Sequence, residues 1–262
     1  MTPLTVLKTS SASSPEQLVR LFHQSQLEWA RHLGEETELD FGRWIDGPNC
    51  LLDAFPLPGM KASDLIGEMA SRSWEGCSLN PSAAKEQTAP LVDALLTAAW
   101  TACPLNILYR NQKTDLAANQ AIDGLKIIPA RASYRHYRQL MEDRDSTNTD
   151  TAMSHLDDSH FDVLLALKDG NAIGSIGVLT SGEVGTIREW YVTPPQRHSG
   201  VGRLLLTRAL EIAARGMLRH VMIGLPDSTD PAQGLCQTAG FQIIGQWASF
   251  WKDSCKSWRL FA

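Results

Sequence analysis

The residues best suited to chemistry stand in one run, Val192-Thr193-Pro194-Pro195-Gln196-Arg197-His198-Ser199-Gly200-Val201-Gly202-Arg203, followed by Leu204-Leu205-Leu206. Two glycines between a proline-ended strand and a helix start leave backbone N–H groups open to an anion. No Cβ obstructs the approach, and the first-turn N–H groups lack intrahelical acceptors. Such a nest suits a diphosphate; the plainer alternative is a tight turn that lets the helix pack closely on its sheet. The spacing G-x-G-x-x-G of a dinucleotide fingerprint is absent, because Arg203 to Leu206 fills the third-glycine region, and the Gly-Lys-Ser/Thr ending of a P-loop is missing too. Cys50, Cys77, Cys103, Cys236 and Cys255 show no metal-ligand spacing, so no zinc site or disulfide framework is expected and reduced thiols are the simpler reading.

The elements that must position this loop follow from periodicity. Phe161–Lys168, the turn Asp169-Gly170-Asn171 and Ala172–Leu179 read as a hairpin, and Thr186–Val192 as a third strand. Val201–Arg215 is a helix with Leu205, Leu206, Ala209, Leu210, Ile212 and Ala213 inward; His220–Leu225 is a strand. A short helix starts at Asp230-Pro231, Gly240 closes it, and Phe241–Phe250 is the final strand. In the first half, Ser14-Pro15-Glu16 opens a helix that ends before Gly34, and short strands occupy Trp44–Pro58. Asp64–Ala70 reads as a strand, Thr88–Ala99 as a helix, Leu105–Tyr109 as a strand, Asp115–Ile122 as a short helix and Leu125–Ile128 as a strand. Arg131 and Arg135 fall in an aromatic, basic window taken as an amphipathic strand or a solvated linker, and Met141–Ser159 reads as a polar interdomain loop. Strands alternating with helices predict an α/β architecture with mixed sheets.

The bulk numbers agree with a soluble α/β protein. Of the 262 residues 43% are hydrophobic, and 24 Lys and Arg against 29 Asp and Glu leave a net charge of -5. That balance argues against nucleic-acid binding. No run of apolar residues is long enough for export or membrane spanning, so a cytoplasmic location is expected.

The Val192-Thr193-Pro194 strand end followed by Arg197-His198-Ser199-Gly200-Val201-Gly202, with Ala232, Leu235 and Gly240-Phe241 downstream, resembles the acetyl-CoA-binding motif of the GNAT N-acetyltransferase superfamily. The resemblance covers about residues 161–250. It implies acetyl-CoA as cosubstrate, with Tyr191, Val192, Arg197, His198, Ser199, Gly200, Val201, Gly202 and Arg203 forming its site. The strand carrying Trp190 to Val192 would splay from strand 220–225, pantetheine would lie in the opening, and an N–H near Val192 would face the acetyl carbonyl.

The resemblance further implies transfer of the acetyl group to a primary amine of a small molecule or peptide by direct attack. Glu189 is the expected base, or else a salt-bridged strand carboxylate partnered by Arg188 or Lys168. Relatives often carry a tyrosine that protonates the departing thiolate; here the position corresponds to Cys236, a weak donor. His220 and His198 are weaker candidates for proton transfer. The competing class is a noncatalytic acyl-CoA sensor or scaffold, suggested by Cys236 and by the altered first half.

The order Pro81, helix 88–99, strand 105–109 and Gly124 parallels Pro194, helix 201–215, strand 220–225 and Gly240, at offsets of 113 to 116 residues, which suggests a duplicated unit. In that register Ala84, Gln87 and Ala89 replace Arg197, Gly200 and Gly202, so the first copy would be degenerate. The expected organisation is two tandem acyl-CoA N-acyltransferase-like domains, each a mixed twisted sheet flanked by helices. Residues 1–140 form the degenerate copy, 141–160 a linker and 161–262 the acetyl-CoA-binding domain. By that resemblance the second copy lacks the long helical region that usually lies between its first two strands and covers the acceptor side, leaving the first half to wall that cleft.

Overall fold

The computed structural model describes residues 13–31, 34–46, 50–111, 122–145, 149–226 and 231–252. The helix expected over Asp115–Ile122 falls almost wholly outside them. The first half runs α1 (Pro15–Ala30), β1 (Glu36–Leu39), β2 (Gly42–Ile45), β3 (Cys50–Ala54), α2 (Ala62–Ser71), β4 (Gly76–Leu79), α3 (Lys85–Thr97), β5 (Thr101–Ala102) and β6 (Leu105–Asn111). The second runs β7 (Leu125–Pro129), α4 (Tyr134–Asp145), α5 (Thr149–His155), β8 (Phe161–Lys168), β9 (Asn171–Ser181) and β10 (Val184–Val192), and then α6 (Val201–Arg215), β11 (His220–Leu225), α7 (Pro231–Thr238), β12 (Gln242–Trp247) and β13 (Ser249–Trp251).

Local rules account for the boundaries. Ser14 and Gln17 form a reciprocal capping box with Pro15 in the first turn of α1. Asp169 and Gly170 take φ of 51° and 79°, the left-handed pair a two-residue hairpin between β8 and β9 requires. Three expectations fail here. Residues 64–70 are helical in α2, because Leu65 and Met69, both 0% exposed, lie four apart on one face. The window around Arg131 and Arg135 is a 3-10 turn leading into α4, and Arg131 donates to the carbonyls of Leu156, Asp158 and Phe161. The stretch expected to be a linker over 141–160 holds the end of α4 and all of α5. Tyr137, Leu140 and Met141 bury against Phe161 and Val163, so the second half has its own covering helices.

The two sheets exchange strands. One has the order β1-β2-β3-β4-β13-β5 and the other β12-β6-β11-β10-β9-β8-β7. β6, from the first half, sits antiparallel between β11 and β12, and β13, from the second, sits antiparallel between β4 and β5. The expected single strand 241–250 is therefore two strands serving different sheets.

The duplication is real in topology but its register differs from the expected one. β3-α2-β4-α3-β5-β6 repeats β10-α6-β11-α7-β12-β13, with β3 parallel to β4 as β10 is to β11. Left-handed residues recur at matching places: Asp53 with Glu189, Ser73 with Met217, and Ala99 with Gly240. The N–H of Trp74 bonds the carbonyl of Met69 as Leu218 does Ala213, and Trp100 bonds Leu95 as Phe241 does Cys236. The helix after Pro81 thus corresponds to α7, and the loop equivalent to 193–200 is the one between β3 and α2, not residues 82–89.

Among the described residues four apolar clusters hold this together. Leu205, Leu206, Ala209 and Leu210 of α6 pack on Ile176, Val178 and Ile187, while α4 and α5 cover the β8 side. Helix α1 packs Phe22 against Leu105, Ile107 and Trp247, and α2 and α3 bury Leu65, Met69, Leu91 and Leu95 on the first sheet. Cys103 is disulfide-bonded, which corrects the expectation of reduced thiols throughout; pairing is a tertiary property that spacing does not reveal. Cys50 and Cys77 are buried free thiols, and burial pushes Cys77 up to about 12.

Candidate active site

Parallel pairing of β10 with β11 covers only Val184–Thr186 against His220–Met222. Beyond it β10 bulges between Arg188 and Tyr191, and the two strands separate. The opening is a cleft of about 830 Å³ with apolar walls that include Trp190, Val192, Ile223, Leu225, Ala232 and Leu235. That volume lies in the range of small-molecule and cofactor sites. In the first half the equivalent strands stay zipped: β3 pairs with β4 as far as Ala54–Leu79, and the N–H of Asn80 still reaches the Ala54 carbonyl, 3.1 Å away. No comparable opening separates those two strands.

At the cleft's α6 side the loop turns through two left-handed residues. Gly200 caps the helix with φ 88° and His198 has φ 62°, both left-handed. The first intrahelical bond runs from the N–H of Leu204 to the Gly200 carbonyl at 3.1 Å, so the N–H groups of Val201, Gly202 and Arg203 precede it. A Cβ at Gly202 would meet Trp190 Nε1 and Val192 Cγ2 at 3.7 Å, which leaves room for a methyl but sets any longer side chain into the cleft. Arg197 Nε donates to the Val192 carbonyl at 3.2 Å, tying the loop to the strand end. Tyr191, Val192, Arg197, His198, Gly200, Gly202 and Arg203 line the cleft. Val201 turns its side chain into the core at 1% exposure, and the Ser199 hydroxyl donates to the Gln196 carbonyl at 2.6 Å. Val201 therefore has only its backbone to offer a ligand, and the Ser199 hydroxyl proton is already committed.

Glu189 sits inside the bulge with φ 50°, a strained conformation that costs a non-glycine residue about 1–3 kcal/mol. Its carboxylate pairs with Arg144 of α4, and its carbonyl accepts a hydrogen bond from the Ser175 hydroxyl at 3.0 Å. The partner is therefore neither Arg188 nor Lys168. Glu189 beside it holds the Arg144 guanidinium above its ordinary range, and that guanidinium lies 5.5 Å over the Tyr191 ring. Tyr137, whose hydroxyl is buried without a partner, is pushed well up by burial and then by Glu189.

Arg188 is 2% exposed; it donates to Gln26 of α1 and stacks 5.0 Å from the Trp29 ring. Burial pushes it down to about 9, which leaves it a cation at neutral pH. The neighbouring Thr186 hydroxyl donates to Ser25 of α1 at 2.8 Å. The first half thus contributes to this site through α1.

Two other candidates lie elsewhere. Cys236 is 0% exposed within the α6–sheet core and does not line the cleft, because its face of α7 is the one turned inward. His220 pairs with Val184 at the closed end of the β10–β11 ladder, with Nδ1 3.3 Å from the Tyr109 hydroxyl, and burial lowers its pKa. Sequence reasoning missed Asp143, Arg144 and Gln26, and took Arg188 only as a possible partner of Glu189. The available signal was the spacing of Tyr137, Leu140 and Met141, which marks α4 as an amphipathic helix despite its many charges. Among the described residues no cluster of His, Cys, Asp and Glu is arranged to hold a metal. No helix there is long and apolar enough to cross a membrane.

Two parallel strands that part beside a glycine-capped helix start are the arrangement of an acyl-CoA N-acyltransferase-like fold. Residues 129–241 match the model of the acetyltransferase (GNAT) family. A structure described as a GCN5-related N-acetyltransferase from Kribbella flavida aligns with a TM-score of 0.58 at 13% identity, covering 90% of this chain and 95% of that one. One from Sphaerobacter thermophilus gives 0.57 at 15%, covering 73% and 68%. A tandem GNAT protein from the clavulanic acid biosynthesis pathway gives 0.57 at 13%, covering 79% and 76%. These likenesses concern the fold, two GNAT-like units in tandem. No curated protein sequence matches the chain.

Proposed function

We propose that this protein is an N-acetyltransferase that moves the acetyl group of acetyl-CoA to a primary amine of a small molecule or peptide by direct attack. The observation that carries this reading is the cleft between β10 and β11, closed at one side by the N–H groups before Leu204. The residues present fit a diphosphate: left-handed Gly200, the helix-start N–H groups, and Arg197 and Arg203 beside them. Acyl-CoA would supply a thioester; the chain's part is to hold it, orient it and exclude water. The Val192 N–H is the expected donor to the acyl oxygen as negative charge builds there.

Glu189 is the proposed base. In the resting site its carboxylate is engaged by Arg144, so accepting a proton requires that pair to open or a water to bridge. With Cys236 in the core, thiolate departure rests on the thiol's own acidity rather than on a side-chain donor. The alternative, a noncatalytic acyl-CoA sensor, draws on the same two facts and shares the ligand, so turnover separates the readings.

Titration calorimetry with acetyl-CoA tests the site. The wild type binds, and Gly202→Glu, which places a carboxylate in the cleft against the diphosphate, weakens binding about 100-fold or more, roughly 2.7 kcal/mol. Equal affinity in the two proteins removes the nest from consideration. For the chemistry, Glu189→Gln is expected to lower kcat on an accepted amine by roughly 10²-fold with acetyl-CoA affinity unchanged. An unaltered kcat excludes Glu189 as base.

A further inference from the structure

Among the described residues, the charged groups of the cleft away from the α6 loop are Asp143 and Arg144 of α4 and Arg188 of β10. Arg144 is neutralised by Glu189. The other two are not: among the described residues Asp143 and Arg188 enter no ion pair. Asp143 is exposed. Arg188 is 2% exposed; its side-chain hydrogen bond goes to the uncharged Gln26, Trp29 covers one face, and its Nε is buried with no partner.

A guanidinium taken out of water ordinarily has a counter-ion and a full set of acceptors. Arg188 has one neutral acceptor, and the adjacent Glu189, which favours its charged form, is already paired with Arg144. A planar carboxylate is the ligand that matches a guanidinium fork, offering two oxygens where one nitrogen now has none. The diphosphate cannot be that anion, since it belongs at the α6 start, on the far side of the bulge from Arg188. An amine without an acid group would leave Arg188 uncompensated, and a polyamine would add like charge beside it. The exposed carboxylate of Asp143 offers the opposite sign, suited to drawing in an ammonium group.

We infer that the acceptor is a small zwitterionic amine of the amino-acid type, its carboxylate bound at Arg188 and its ammonium drawn by Asp143. The inference rests on the acetyltransferase reading and names the substrate class of that site. Gln26 is then a positioning residue, because it holds Arg188 in place from α1, an element of the other half.

The test uses the full chain with acetyl-CoA, measuring thiol release over the proteinogenic L-amino acids, their α-carboxamides and phosphoethanolamine. At least one amino acid is expected to exceed its own carboxamide by about tenfold or more in kcat/KM. Gln26→Glu, which offers Arg188 a carboxylate from within the protein, should erase most of that preference by raising KM for the acid, with acetyl-CoA affinity unchanged. A merely structural role for the Arg188–Gln26 contact would move acid and amide together. Carboxamides matching the acids, a preference for phosphoethanolamine, an unchanged ratio in Gln26→Glu, or no turnover of either set by a protein that binds acetyl-CoA would each overturn the inference. Failure to bind acetyl-CoA would instead overturn the reading beneath it.

Discussion

Asp53 and Glu189 are acidic residues in left-handed backbone at equivalent bulges, and each is engaged by a basic side chain of the covering helix. His23 Nε2 lies 2.9 Å from Asp53, and Arg144 pairs with Glu189. The two halves keep the same local device while only one keeps an open cleft, so the bulge alone does not make a site. No sequence pattern announces a positive φ on Glu189, nor a partner 45 residues earlier, whereas the glycines at 200 and 202 announce their loop openly. His220 gives a pH signature of its own. Burial lowers its pKa below the unfolded value near 6.5, so the unfolded chain takes up a proton first as pH falls. Stability from this residue is present above about pH 6.5 and is lost on acidification through its folded pKa. His220→Gln is expected to flatten the fall of Tm on acidification below about pH 6.5, and an unchanged profile would show that His220 does not carry it.

At the level of elements, the hairpin β8–β9, helix α6 and strand β11 were legible because period and turn chemistry agree. Helices α2 and α4 were not. In α2 the apolar pair Leu65-Ile66 looks strand-like over a short window, and in α4 the charges hide a buried stripe. The exchange of β6 and β13 is invisible to periodicity, since a strand's alternation does not say which sheet receives it. The seat of β13 is specific. Gly76 pairs with Trp251, and a Cβ there would lie 2.5 Å from the indole ring. Gly76→Ala should cost about 1–3 kcal/mol by overpacking and should shift Trp251 fluorescence. A variant with wild-type Tm and emission would mean that β13 is not held at this place.

For the molecule as a whole, a cut between the halves does not follow a line of weak contact. Leu105, Ile107 and Leu108 of β6 are each 0% or 1% exposed within the sheet that carries the cleft. At about 1.5–3 kcal/mol for each buried side chain, three of them amount to roughly 5–9 kcal/mol. That is comparable to the whole stability of a typical domain, about 5–15 kcal/mol. A chain of residues 123–262 alone is therefore expected to lack a cooperative thermal transition and to bind no acetyl-CoA, although it contains the entire nest. A folded, ligand-binding fragment in scattering and calorimetry would refute this.

The crossed strands also bear on synthesis. The early sheet receives β13 between β4 and β5, and residues 249–251 are made after every other described element. The usual order, in which an upstream unit finishes folding while the ribosome is still translating the next, is closed to this chain. The sheet built from β1 to β5 must wait, with a gap between β4 and β5, for β13 to emerge, and that interval is when chaperones matter most.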